Sequence, residues 1–248
     1  MVDNRLERKD PLTETKESRK MTDTKEVRKT TGTNEARKIS RRRPPRFDLI
    51  AGNVALDFVN TLDDRHINDR HIKPKELLET YLDLVRFGED TGLLSERQAD
   101  QLYERSPLDP EGAQRALLWG RQLREAIHDV FWAIMNKRPV PPAALARVNA
   151  DAQTAAGHMR LVPAKGGGFQ WSFDDFSDFD GMLWPIARGA VDLLASDLLP
   201  YVRACSSKDC EWFFLDTSKN HHRRWCDMTR CGNRAKVQRF YARKKSSC

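Results

Sequence analysis

Residues 205–231 read CSSKDC EWFFLDTSKNHHRRW CDMTRC, and the spacing of the cysteines decides how this end of the chain must fold. Cys205 and Cys210 make one close pair, and Cys226 and Cys231 make a second of equal spacing. Two close pairs joined by a mid-length loop let a chain build a tetrahedral site from two turns. Zinc accepts four thiolates at about 2.3 Å and asks nothing of the geometry beyond the tetrahedron. Four thiolates leave no open coordination position. The expected ion is therefore a structural Zn(2+), one per chain. His221 and His222 lie in the loop, where either could replace a cysteine. Four cysteines already suffice, so both are expected at the surface. Cys248 has no nearby partner and is given no role.

Outward from this stretch the charge is dense. Arg223 and Arg224 precede Trp225, and Arg230 precedes Cys231. A helix is expected from about Gly232 to Arg243. At about 100° per residue, Lys236, Arg239 and Arg243 share one narrow sector. Val237, Phe240 and Tyr241 fall on the other side, where they are expected to pack on the zinc core. Arg and Lys so spaced can meet successive phosphates, and Arg can read guanine edges. Trp212, Phe213, Phe214 and Leu215 form a continuous apolar run, expected as a buried strand that gives a small zinc module its core.

The 248-residue chain carries +7 overall, unevenly spread. Residues 1–46 carry +7, residues 47–198 carry −8 and residues 199–248 carry +8. An acidic body between basic ends suggests polyanion contact at the ends. No apolar stretch is long enough to span a membrane. The charged N-terminus lacks a signal segment, so a cytoplasmic, reducing setting is expected, with thiols rather than disulfides.

Residues 1–46 are expected to be a disordered basic tail. They hold an imperfect nine-residue repeat (TETKESRK at 13–20, TDTKEVRK at 22–29, TGTNEARK at 31–38) and almost no large apolar side chains. The body is expected over 47–199. FDLIAGN reads as a short strand and turn, and Asn53 caps a helix through Leu62. A polar loop follows. A second helix is expected from Pro74 and a third, with a capping box, from Ser95. The longest runs from Asp109 to about Asn136 on one apolar stripe. Another spans Ala143 to Ala156. A hairpin of His158–Pro163 with Phe169–Phe173 turns at Gly166, Gly167 and Gly168. A last helix spans Gly181 to Leu199. The fold class is α+β, a mainly helical body with a small antiparallel sheet, followed over 200–245 by a small zinc-binding domain.

Cys205-x4-Cys210-Glu-Trp-Phe-Phe-Leu-Asp-Thr-Ser, Arg223-Arg-Trp-Cys226 and Cys231-Gly232-Asn233-Arg234-Ala-Lys236 closely resemble the CGNR zinc finger family. The body is similar to the ABATE domain that precedes this finger in bacterial proteins. That likeness rests on Leu56-Asp57-Phe58-Val59-Asn60-Thr61, Gly92-Leu93-Leu94 and Leu123-Arg124-Glu125-Ala126. The resemblance implies zinc on Cys205, Cys210, Cys226 and Cys231 in a DNA-binding transcription regulator. Arg234 would then face DNA or a carboxylate of the body.

Two function classes stay open. In one, the body senses a small-molecule effector and Arg223, Arg224, Arg230, Arg234, Lys236, Arg239 and Arg243 hold duplex DNA. In the other, zinc stabilises a protein-interaction module that docks on an acidic partner, a second copy included, without touching DNA. Asp57, Asn60, Arg121 and Arg124 either line a ligand pocket in the body or form a salt-bridge network. No enzyme is expected. The three glycines of the hairpin lack the Lys and Ser/Thr of a phosphate loop. The Asp174, Asp175, Asp178, Asp180 run lacks calcium-loop spacing. His66 and His71 with Asp63, Asp64 and Asp69 read as loop residues more readily than as an open metal site.

Overall fold

A 26-residue helix runs through the middle of the body, and the other elements take their places on it. The computed structural model describes residues 46–65, 73–173, 178–208 and 210–246, with backbone alone at 245 and 246. The tail repeats and the proposed contributions of His66, Asp69 and His71 lie outside the described residues.

The described helices are α1 (Val54–Val59), α2 (Tyr81–Asp90), α3 (Glu96–Arg105), α4 (Pro110–Met135), α5 (Pro142–Gly157), α6 (Leu183–Leu194) and α7 (Asn233–Ser246). Three two-stranded antiparallel sheets accompany them: β1 (Leu62–Asp63) with β2 (Lys75–Glu76), β3 (Met159–Pro163) with β4 (Phe169–Phe173), and β5 (Val202–Ala204) with β6 (Phe213–Leu215). The mainly helical α+β class expected from the sequence is the one observed.

Local chemistry explains most boundaries. The Asn53 side chain accepts the Ala55 N–H and starts α1, and Ser95 with Gln98 forms the capping box of α3. Asp109 caps α4 with Pro110 in its first turn. The α4 stripe Leu117, Leu123, Ile127, Val130 and Phe131 is buried against α1, α2, α5 and α6. Gly167 and Gly168, both at positive φ, turn the β3–β4 hairpin.

Four expectations fail at the edges. FDLIAGN forms no strand; the Ala51 carbonyl accepts the Leu215 N–H, but no ladder extends from it. The first helix stops at Val59, and Leu62 enters β1. The second helix begins at Tyr81, not Pro74. Lys75–Glu76 pair with Leu62–Asp63 instead, and Thr80 and Asp83 make the capping box. The last body helix spans only Leu183–Leu194, followed by a 3-10 turn at Leu199–Tyr201.

β6 carries the largest consequence. Phe213 and Leu215 are buried in the same apolar cluster as Phe58, Leu84 and Phe131. Phe214, pointing to the opposite face, is buried with the four cysteines. One three-residue strand therefore feeds two cores, as the alternation of a strand dictates.

Candidate metal centre and nucleic-acid interface

β5 delivers Cys205, the turn before β6 delivers Cys210, and the loop after β6 returns to bring Cys226 and Cys231. All four sulfurs lie within 4.8 Å of one another and all four residues are buried. Cys226 Sγ stands 3.6 Å from both Cys210 Sγ and Cys231 Sγ. A tetrahedron with metal–sulfur bonds of about 2.3 Å has edges of about 3.8 Å, so the donor set fits zinc as it stands. Backbone N–H groups complete the surroundings. Cys226 N and Ser207 N donate to Cys205 Sγ, and Trp212 N donates to Cys210 Sγ.

Without metal the four thiols cannot ionise together. Hydrogen bonds from Cys210 and Cys226 hold the Cys205 thiol far below its ordinary range. Each of those two donors is pushed up in return. Metal must therefore displace protons, and its affinity falls with pH.

The loop between the cysteine pairs is shaped by Asp216. Its carboxylate accepts the Ser218 N–H and hydroxyl and the Arg223 N–H. His221 accepts this geometry at positive φ, stacked 3.9 Å from the Tyr201 ring. Among the described residues the candidate metal cluster contains cysteines alone, and His221 and His222 are exposed, as expected.

Arg223 was expected at phosphate, and the structure assigns its guanidinium elsewhere. It donates to the carbonyls of Trp225, Cys226 and Ile50 and lies 4.4 Å over the Phe214 ring. Through Nε and Nη2 it braces the second cysteine pair. Arg230 pairs with Asp48, and both are half exposed. Arg224 is exposed and leans on Trp225. Arg234, Lys236, Arg239 and Arg243 are all exposed along α7.

The turn into α7 is a π-helical turn at Met228–Gly232, capped by the Asp227 carboxylate on Arg230 N. A Cβ on Gly232 would sit 2.6 Å from Met228 Sδ, so the methionine side chain would have to swing aside, and 3.2 Å from Trp225 Cδ1. The apolar residues of α7 do not pack on the zinc core. Val237, Phe240 and Tyr241 are 54%, 65% and 61% exposed. β6 already supplies Phe214 to that core, so nothing is left for α7 to cover.

Asp57, Asn60, Arg121 and Arg124 do not line a common ligand pocket. Asp57 Oδ1 accepts the Ala51 N–H at 2.9 Å, and burial raises its carboxyl to about 6. Asn60 is bonded twice to Phe213, Nδ2 to O at 2.9 Å and Oδ1 from N at 2.8 Å. Arg121 donates to the Leu78 and Glu79 carbonyls. Arg124 grips Glu76 with both Nη groups at 2.6 and 2.7 Å and also reaches Thr61. Burial pushes Glu76 up, but the Arg124 guanidinium outweighs it and holds the carboxyl below its usual range. These are fastenings. A cleft of about 690 Å³ lies instead between body and finger, bordered by Phe47, Lys75, Glu79, Trp212, Arg230 and Arg234 and reaching Cys210, Cys226 and Cys231 of the metal site. Trp212 on its wall donates Nε1–H to Asp63 at 2.7 Å. The sequence offered no sign of this cleft, because its walls come from segments far apart in the chain.

Comparison with family models places this geometry. The ABATE model, described as "Putative stress-induced transcription regulator", matches residues 52–197. The chain belongs to the ABATE family. The CGNR zinc finger model follows at residues 201–244 and takes in all four cysteines. This ABATE protein therefore carries its family body and a zinc-binding CGNR finger in that order, as the sequence motifs implied. No curated protein matches it. None of its described helices is long and apolar enough to cross a membrane.

Proposed function

We propose that this ABATE protein is a DNA-binding transcription regulator in which one structural zinc ion per chain sets the pitch of α7. The supporting observation is the exposed cationic stripe of α7, starting two residues after the last zinc ligand. Four cysteines and no water-bearing position make the metal a fixture. Arg224, Arg234, Lys236, Arg239 and Arg243 are the phosphate contacts of this reading. The cleft beneath Arg230 and Arg234 is its effector site, since its volume suits a small molecule. A ligand there would touch the body and the turn into α7 at once.

Fluorescence anisotropy with random-sequence duplex DNA tests the reading. Five phosphate contacts give a log affinity against log salt slope of about −4.5. Changing Lys236, Arg239 and Arg243 together to Ala should flatten that slope by about 2.7 while leaving zinc content unchanged. A weak, salt-insensitive complex would reject DNA binding. The exposed Val237, Phe240 and Tyr241 favour a second reading, in which α7 docks on an acidic protein partner. Loss of partner binding in Phe240→Ala, with no DNA binding by the parent protein, would select it.

A further inference from the structure

The outer half of the β3–β4 hairpin has one face that nothing in the described structure covers, whereas nearer the body Phe173 packs on the core and Met159 Sδ accepts from Arg188. Its register pairs Met159 with Phe173, Leu161 with Trp171, and Pro163 with Phe169. All six side chains point to the same face and all six are apolar. Leu161, Trp171 and Phe169 are 55%, 65% and 70% exposed. Two strands form the whole sheet, so both edges are open as well. A two-stranded ribbon in water is marginal and gains stability from a second layer on its apolar face.

We propose that this face is a self-association surface, on which the hairpin of a second copy packs to form a two-fold dimer. Three observations select that occupant. First, the face carries no charged side chain, so it suits neither nucleic acid nor an acidic peptide. An anionic membrane is disfavoured too, because the body from 47 to 198 carries −8. Second, the N-terminal tail cannot supply the missing layer. Residues 1–45 offer only Met1, Val2, Leu6, Leu12, Met21, Val27 and Ile39 as large apolar residues, scattered through charge. Third, the area is what a modest dimer needs. Two aromatic rings and a leucine at these exposures present roughly 400 Å² per copy. Both copies together bury about 800 Å², the size of a weak, reversible contact rather than a permanent one. A two-fold contact uses the same patch twice, so an uncharged apolar face is complementary to itself without further tailoring. The exposed apolar residues of α7 lack this property, because like charges surround them.

Sedimentation velocity on the zinc-loaded full chain, from about 1 to 100 μM, tests the proposal. The parent protein should pass from monomer to dimer within this range. Trp171→Glu should raise the dimer dissociation constant at least tenfold, and Leu161→Glu, on the other strand, should do the same. Phe240→Glu on α7 should leave it unchanged. Far-UV circular dichroism and zinc content identify any variant that misfolds, and two variants on separate strands keep the test decisive. A parent protein that stays monomeric at 100 μM overturns the proposal. So does a dimer that survives both hairpin variants, or one that Phe240→Glu abolishes.

Discussion

At Asn60 a single amide group answers both polar atoms of one backbone unit, the N–H and C=O of Phe213. The residue is 4% exposed, so neither group has water to turn to. Asn60→Ala would leave a buried donor and a buried acceptor unmet, at about 2–4 kcal/mol together. Urea unfolding of the zinc-loaded protein measures this, and a loss under 1 kcal/mol would show that the bridge is dispensable. Asp57 makes the converse case. Its folded-state pKa of about 6 lies above the unfolded value, so the folded chain binds the extra proton. Its contribution is fully present below about pH 4 and is lost as pH rises through about 6. Asp57→Asn keeps an acceptor for the Ala51 N–H and carries no charge. The variant should match the parent near pH 4 and exceed it by about 1–3 kcal/mol at pH 7. Parallel stability curves across that window would remove Asp57 as the source. Arg223 shows why residue roles were harder to read than residue types. An arginine two positions before a tryptophan in a basic loop looks like a phosphate ligand. Only the folded loop reveals three carbonyls converging on it.

Among elements, α7 and β6 exchange the parts that hydropathy suggests. Both present aromatic residues, but the ones on β6 are buried and the ones on α7 are exposed. Phe213→Ala should therefore cost about 3–5 kcal/mol, whereas Phe240→Ala should change stability by less than about 0.5 kcal/mol. Thermal or urea melts of the pair decide it, and equal losses would mean that α7 packs after all. The long helix α4 was legible because 26 residues repeat one stripe between a capping Asp and a run of prolines. The hairpin was legible from its period of two and its glycines. The start of α2 was not. Leu77 and Leu78 fit a helical period, while the cap at Thr80 and Asp83 outweighs that pattern locally. The packing of α7 was not legible either. Periodicity reports that a helix has an apolar side, not whether anything lies opposite it. The clustering of the four cysteines was legible in full, because paired spacing brings them together without a distant partner.

At the scale of the whole molecule, metal and body share one folded unit through β6. Chelation should therefore unsettle more than the last fifty residues. Stripping zinc with excess chelator should lower the melting temperature of the helical signal by roughly 10 °C or more. Circular dichroism at a helix wavelength reads this, and an unmoved helical transition beside a lost finger would refute the coupling. The cleft and the hairpin sit on this same unit, so an effector, a partner copy and the metal would all act on one stability. The shared strand also limits how the protein can be taken apart. A fragment of residues 200–248 keeps Val202 beside Leu215 but carries Phe213 and Leu215 away from Phe58, Leu84 and Phe131 of the body core. A fragment ending at 199 keeps an open socket where they belonged and an Asn60 facing no one. The finger is thus no portable cassette. Any transplant onto another scaffold would have to bring the floor it stands on.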